Sequence, residues 1–215
     1  MKRSTSIYLG LLALFLTSWV VMVLVPYVQA GRLSPDIDPD TKDQSPTAYS
    51  GLAEQGRQVY AANGCVYCHS QQVRSRATSA DIDREYGPRR TVARDYVRDR
   101  AAYLGDSRMG PDLANVGLRH DKADWYYAHE YSPQSVSPGS NCAPVRFLFD
   151  KRRPAGQPST EALDPKMIAA DLPAPGEEVV PRHDAKALVA YLLSLKRSSY
   201  KLPEAPEEAA PDTAP

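Results

Sequence analysis

The stretch Cys65-Val66-Tyr67-Cys68-His69 decides how the rest of the chain is interpreted. Two cysteines with two residues between them can form thioether bonds to one edge of a porphyrin, and the histidine that follows becomes the fifth ligand of the iron. A redox disulfide or half of a zinc site would use the same pair, but the first is typical of a βαβ surround and the second needs another pair. The sequence indicates neither. We therefore predict one covalent haem c, held by Cys65 and Cys68, with His69 as proximal ligand.

A second feature, Gly110-Pro111-Asp112-Leu113 followed by Gly117, is typical of a loop. Pro111 has no N–H to donate, and its carbonyl is free to accept a hydrogen bond. A metal-bound histidine commonly donates its other ring N–H to a backbone carbonyl, which fixes the orientation of the ring. An ordinary turn would give the same pattern, but the upstream haem motif favours a loop whose Pro111 supports His69.

The N-terminal segment is apolar and uncharged from Ile7 to Val28, close to the roughly 20 residues that cross a bilayer. Lys2 and Arg3 precede it and favour a cytoplasmic N-terminus, with the rest of the chain on the opposite side. A cleaved signal peptide is the alternative, but this apolar run is longer than a signal normally has. We predict a single-pass anchor over residues 1–30 in a bacterial cytoplasmic (inner) membrane, with the haem domain on the periplasmic or outer face, where disulfide-permissive conditions suit haem attachment.

The remaining chain divides by composition. Residues 31–48 are rich in Pro, Asp, Ser and Thr without an apolar period and are predicted to be a tether. Residues 49–202 are predicted to form the cytochrome c domain, with an insert at about 70–107. Residues 203–215 contain only Pro, Glu, Ala, Asp and Thr and are predicted to be a disordered tail, because they cannot bury enough apolar surface.

Apolar residues recur at helical spacing in residues 49–63, just before the cysteine pair, and in residues 184–196 near the end. A third helix is indicated around residues 125–129, ending before Pro133. Strand signals are weak throughout. The fold class is therefore predicted to be all-α, an N-terminal transmembrane helix followed by a helical domain around one haem.

Composition limits the possible functions. Lysine plus arginine and aspartate plus glutamate both number 26, so no charge excess argues for nucleic acid. Nineteen prolines and three phenylalanines indicate many loops and a small core that a large apolar cofactor could fill. Of the three cysteines, Cys142 remains once the motif has used two.

These motifs resemble class I cytochrome c, and the resemblance includes a final helix with Ala187-Leu188-Val189-Ala190-Tyr191-Leu192. More narrowly, the anchor, the Tyr67-Cys68-His69-Ser70-Gln71 run with Arg74 behind it, and Arg108 to Gly117 are similar to the mono-haem subunit of cbb(3)-type cytochrome c oxidases. The resemblance runs from roughly Tyr8 to Arg197. It implies a few helices around one haem, with Gly56 letting the first helix cross close to Tyr191.

The distal side of the haem departs from that family. In that family the sixth iron ligand is a methionine in a Ser-x-Met-Pro-x-Tyr stretch. The matching stretch here begins Ser140-Asn141-Cys142-Ala143-Pro144. Four possibilities remain open: Cys142 binds the iron, Met167 replaces it, another residue such as Met109 or His183 does so, or no protein side chain does.

Other polar residues have simpler interpretations. His120 and His129 are expected to be surface or loop residues, with a hydrogen bond to the haem propionates as the alternative. The arginines of the insert alternate with acidic residues and favour a solvated, salt-bridged segment. The alternative is that some of these arginines neutralise the haem propionates or dock the catalytic subunit.

The resemblance implies a subunit that is not an enzyme on its own. It would pass electrons from a donor cytochrome to a catalytic haem-copper subunit that reduces dioxygen, in a complex with other cytochrome subunits. A haem-based sensor or binding protein for small ligands is an alternative that the Cys142 stretch motivates. The small subunit of a nitric oxide reductase is another, since it shares the plan of anchor plus haem, but Tyr67, Gln71 and the insert favour the oxidase.

Overall fold

The N-terminal segment forms one continuous helix in the computed structural model, which describes residues 2–37 and 42–208. Helix α1 (Lys2–Trp19) leads through a π-helical turn (Val20–Leu24) into α2 (Val25–Ala30). From Ser4 to Ala30 the mean hydropathy is 2.3 and none of the segment is buried, so the helix is long and apolar enough to cross a membrane. The side chains of Lys2 and Arg3, on which the predicted orientation depends, lie outside the described part.

The π-helical turn has a local cause. The N–H of Val25 donates to the carbonyl of Val20, one residue further back than in an α-helix. Pro26 follows, and its ring would clash with the carbonyl four residues before it while offering no N–H of its own. The widened turn therefore lies where a regular turn cannot close.

Two helices that are distant in sequence form the centre of the folded domain. Helix α3 (Gly51–Ala62) begins at Ser50, whose hydroxyl accepts the N–H of Ala53 at 3.1 Å. It packs against α7 (His183–Ser194) so closely that a Cβ on Gly56 would lie 1.8 Å from the carbonyl oxygen of Ala187. Only glycine fits there, and the crossing matches the one that the resemblance implies.

Shorter elements connect these helices and enclose the motif. The helices are α4 (Val116–Arg119), α5 (Ala123–Tyr131) and α6 (Pro133–Val136). Four 3₁₀ turns lie at Cys65–Tyr67, Ala93–Tyr96, Arg146–Leu148 and Pro165–Asp171. Helix α5 includes the helix predicted around residues 125–129 and ends before Pro133, as expected.

The described residues are mostly helical, but the all-α prediction needs correction. Strand β1 (Asp36–Ile37) pairs antiparallel with β2 (Gln44–Ser45), and β3 (Phe149–Arg152) pairs antiparallel with β4 (Glu178–Pro181). Strands of two to four residues are too short to show the alternation by which a strand is recognised in sequence. The β3–β4 ladder lies directly before α7 and buries all four residues of β4.

The insert is salt-bridged, as expected, but it is not simply solvated. Arg89 pairs with Asp95 at 2.9 Å, and both side chains are almost fully buried. Arg197, just after α7, pairs with Asp99 at 2.7 Å in equally buried surroundings. The first pair fixes the insert internally and the second joins it to the domain, so the insert is part of the packed structure.

The C-terminal segment also differs from its prediction. Leu202 and Ala205 are buried and form an isolated β-bridge with each other. Residues 203–208 therefore pack against the domain, where an unstructured tail was expected from residue 203. Residues 209–215 of that tail, and residues 38–41 of the predicted tether, lie outside the described residues.

Candidate haem site

The cysteine motif follows α3 through a single sharp turn. Gly64 has a left-handed φ of 70°, which reverses the chain after the helix. The N–H groups of Cys68 and His69 then both donate to the carbonyl of Cys65, at 3.2 and 3.0 Å. The two cysteines and the histidine thus share one compact turn, and both cysteines carry free, half-buried thiols.

His69 contacts the Gly110-Pro111-Asp112-Leu113 loop that was predicted to support it. Its Nδ1 lies 2.7 Å from the carbonyl oxygen of Pro111. When Nδ1–H donates to this carbonyl, Nε2 keeps its lone pair free for a metal ion. The geometry suits an iron ligand, and the assignment of His69 to that role stays a prediction.

Gly110 brings the loop into direct contact with the imidazole. A Cβ on this residue would lie 2.3 Å from Cε1 of His69. The N–H of Gly110 also donates to the carbonyl of Cys68 at 3.0 Å. The loop backbone therefore lies in close contact with the histidine ring and leaves it little freedom.

Asp112 connects the two segments, although nothing in the sequence pointed to a role for it. Its carboxylate is fully buried and accepts the hydroxyl of Ser70 at 2.6 Å and the N–H of Gln72 at 2.8 Å. Its other oxygen accepts the N–H of Ala114 at 2.8 Å. A buried carboxylate with three such donors holds a single conformation. The only sequence signal was its place in the Pro-Asp loop.

Arg108 extends this network outwards. Its Nε donates to the hydroxyl of Ser70 at 2.6 Å, and its Nη1 forms a short ion pair with Asp81. Burial on its own would raise the pKa of Asp81, but hydrogen bonds from Arg108 and Arg74 outweigh it and lower that pKa to about 2. Asp81 therefore stays ionised and keeps Arg108 in place.

Cys142 lies on the loop after α6, near the other two cysteines. Burial raises its pKa to about 11, with further contributions from the negative charges of Glu130 and Cys68. The pKa of Cys65 rises to about 12 by burial first and then through Glu130 and Cys142. These mutual effects mean that the structure brings Cys142 within electrostatic range of the haem motif, with its thiol protonated at neutral pH.

The other candidates for the sixth iron position differ in their surroundings. Met109 is 79% exposed, and its Sδ lies 4.0 Å from Sγ of Cys68. Met167 is half-buried and packs against the core cluster of the domain. His183 is exposed, and its Nε2 lies 2.7 Å from Oε1 of Gln55 on α3. Of these residues, Met109 makes a direct sulfur contact with the motif, whereas Cys142 is partly buried and interacts electrostatically with Cys65.

Unpartnered nitrogen atoms test whether the site fits a haem. Nδ1 of His129 and Nη1 of Arg119 are buried without a hydrogen-bond partner among the described residues. Arg119 donates its Nη2 to the carbonyl of Asp112, in the loop that contacts His69. Burial lowers the pKa of His129 to about 4, and the charges of His69 and His120 add to this effect. Buried nitrogen atoms without a partner fit a site whose bound group brings further polar atoms, as the propionates of a haem do.

His129 also belongs to a column of stacked rings. Trp125 stacks on His120 with ring centroids 3.5 Å apart and on His129 at 5.0 Å. Both histidines had been expected on the surface or in loops, but the structure places His129 on α5 with its Nδ1 buried. Its spacing from Trp125, one helical turn, is the signal that could have revealed this stack.

None of the curated proteins compared with the chain matches it. The family model described as cytochrome C oxidase, mono-heme subunit/FixO matches residues 9–170. That range includes most of the N-terminal helix, the cysteine motif, the Pro111 loop and the Cys142 stretch. The chain therefore belongs to the FixO family of mono-haem cytochrome c oxidase subunits.

Proposed function

We propose that this chain is the electron-carrying, non-catalytic subunit of a cbb(3)-type terminal oxidase. The observation that carries the proposal is the 2.7 Å contact between Nδ1 of His69 and the Pro111 carbonyl, next to a Cys-x-x-Cys-His turn in a mono-haem oxidase family. The family favours this function over a ligand sensor or a nitric oxide reductase subunit.

In this proposal the motif holds one haem c. Cys65 and Cys68 form the thioether bonds, and His69 offers Nε2 to the iron while Pro111 holds Nδ1. A bound haem supplies one-electron exchange between ferrous and ferric iron. The protein supplies a histidine with one orientation, which Gly110 and the buried Asp112 carboxylate maintain.

On the distal side we propose Cys142 as the sixth ligand, with Met167 as the alternative. The support for Cys142 is its partial burial and its electrostatic effect on Cys65. A thiolate donates more charge to iron than a thioether and favours the ferric state. The haem would then have a lower reduction potential than one with the methionine that the resemblance implies.

The partners follow from the oxidase function. We propose that a donor cytochrome delivers electrons to this subunit and that the catalytic haem-copper subunit receives them. The N-terminal helix would anchor the chain in the bacterial inner membrane, with the folded domain on the periplasmic face, because Lys2 and Arg3 precede its apolar segment.

Covalent attachment is the first experiment. The full chain is expressed in a bacterial host competent for cytochrome c maturation, and haem that survives denaturing electrophoresis is measured by its peroxidase activity. Wild type and Cys142→Ser should both retain covalent haem, whereas the double variant Cys65→Ser/Cys68→Ser should lose it. A colourless wild-type protein with both motif thiols open to alkylation would overturn the proposal.

Electron transfer is tested separately from attachment. The reduced subunit should be oxidised by the catalytic subunit on the millisecond timescale, as followed by haem absorbance after mixing. Carbon monoxide provides the contrasting result. Ready binding to the reduced haem, together with no electron transfer to the oxidase, would favour the ligand sensor.

A further inference from the structure

The 3₁₀ turn Ala93–Tyr96 of the insert is fixed by a buried ion pair. Asp95 accepts hydrogen bonds from both terminal nitrogens of Arg89, at 2.9 and 3.0 Å. It also accepts the hydroxyl of Tyr200 at 2.6 Å and the N–H of Val92 at 2.8 Å. Since the Asp95 carboxylate is buried with four donors, the turn has one conformation and presents Arg94 in a fixed direction.

Arg94 contacts both the segment that follows the N-terminal helix and the C-terminal segment. Its Nε lies 2.5 Å from Oε1 of Glu204 in the C-terminal segment. Its Nη1 donates to the carbonyl of Ser34 at 2.8 Å. Ser34 comes four residues after Ala30, where the apolar helix ends. One guanidinium therefore joins the exit of the anchor helix to the C-terminal segment.

On the anchor side, a second arginine of the insert reinforces this junction. Arg98 donates through Nη2 to Oε1 of Gln44 at 2.5 Å and through Nε to the carbonyl of Pro46 at 3.4 Å. Gln44 belongs to β2, which pairs with β1 just after Ser34. The insert thus holds Ser34 through Arg94, and Gln44 and Pro46 through Arg98.

The C-terminal side is held equally. Arg90 donates to the carbonyl of Glu204 at 3.1 Å, and the N–H of Arg76 donates to the carboxylate of Glu208 at 2.7 Å. Leu202 and Ala205 of the same segment are buried. The C-terminal segment closes over the same face of the insert that holds the tether.

We infer that the insert is a bracket that fixes the folded domain in orientation to its anchor helix. A flexible tether of residues 31–48 would have an end-to-end distance on the order of 20 Å and would let the domain turn freely. With Ser34 held by Arg94, only residues 31–33 separate the helix from its first contact with the domain. A fixed orientation raises the effective concentration of the domain at any neighbour within the membrane. The inference does not depend on haem binding.

Hydrogen–deuterium exchange on the full chain in detergent micelles tests the bracket. Peptides that cover residues 31–37 and 42–48 should exchange about tenfold faster in Arg94→Gln/Arg98→Gln than in wild type, because the β1–β2 ladder loses its support. Arg84→Gln is the matched control, since Arg84 is an exposed arginine of the same insert whose side chain makes no described hydrogen bond. Peptides from α3 and α7 report whether each variant remains folded.

Two further variants separate the arms of the bracket. Glu204→Gln should accelerate exchange in residues 200–208 and leave the tether peptides closer to wild type. If the double variant unfolds, Arg98→Gln on its own removes only the Gln44 and Pro46 contacts and should still release residues 42–48. Tether amides that exchange in wild type at the rate of an unprotected peptide, or equally in the double variant and in Arg84→Gln, would overturn the inference.

Discussion

The two sides of the candidate haem site are built in different ways. On the proximal side, backbone groups of residues 110–114 bond to residues 68–72, and a buried carboxylate closes the contact. On the distal side, the candidate ligand is one half-buried thiol, whose Sγ hydrogen-bonds, among the described residues, only to the neighbouring carbonyl of Ala143, at 3.8 Å. Several hydrogen bonds therefore fix the proximal geometry, whereas the distal geometry depends on a single side chain. Substitutions on the proximal side should lower the stability of the domain. Substitutions on the distal side should change stability little and instead test which residue binds the iron.

The largest effect is expected from Gly110→Val. Its Cβ would lie 2.3 Å from the imidazole, so His69 must leave the Pro111 carbonyl or the loop must open. We expect a loss of about 3 kcal/mol in the free energy of unfolding, together with an altered haem spectrum. Gly51→Ala is the control, because a Cβ at Gly51 meets nothing within 4 Å. If both variants matched wild type in urea unfolding and absorbance, the tight contact at Gly110 would be wrong.

Asp112→Asn should come next. The amide group has the same size, but its NH₂ would face the donors that the carboxylate now accepts from Ser70, Gln72 and Ala114. We expect about 2–3 kcal/mol of destabilisation in chemical unfolding. Asp106→Asn, at an exposed carboxylate of the neighbouring loop, should change stability by less than about 0.5 kcal/mol. Equal stability of the two variants would show that the hydrogen bonds of Asp112 do not stabilise the contact between the two segments.

Asp81 gives a prediction about pH. Its pKa is lowered to about 2 in the folded state, so it binds a proton more weakly there than in the unfolded chain. Its contribution, about 2 kcal/mol at most, is present above pH 4 and is lost as the pH falls through about 2. Asp81→Asn should therefore be less stable than wild type at pH 7, and the difference should shrink at pH 2.5. A stability gap that did not depend on pH would contradict the proposed ion pair with Arg108.

The smallest effect on stability, but the sharpest test of the distal side, is expected from Cys142→Met. This change restores the side chain that the resemblance implies and should cost less than about 1 kcal/mol. If Cys142 binds the iron, the reduction potential should rise by on the order of 100 mV and the absorption spectrum should change. Cys142→Ser serves as the control for a lost sulfur ligand. An unchanged spectrum in both variants would exclude Cys142 from the iron and favour Met167.

Most of the proximal side could be predicted because its signals are local. The Cys65 to His69 motif lies within five residues, and Pro111 lacks an N–H whatever its surroundings. The apolar period also located α3 and α7, since a helix of twelve residues shows its buried face in sequence. Where a feature depends on neighbours along the chain, the sequence was enough.

Features whose distant partners belong to no recognisable motif could not be predicted. Asp112 bonds to residues some forty positions earlier, and no spacing rule links them. The buried pair of Arg89 with Asp95 looks in sequence like the solvated charges around it, because burial depends on packing by Tyr200 and the C-terminal segment. Strands β3 and β4 were missed for the same reason, since each is short and finds its partner only in three dimensions.

The crossing at Gly56 has a consequence for where this domain can be cut. The family model ends at residue 170, yet the backbone that leaves no room for a side chain at Gly56 belongs to Ala187. A fragment trimmed to the matched region would contain α3 without α7, the helix against which it packs. The smallest independently folding unit must therefore extend through α7, whatever the boundaries of sequence similarity suggest.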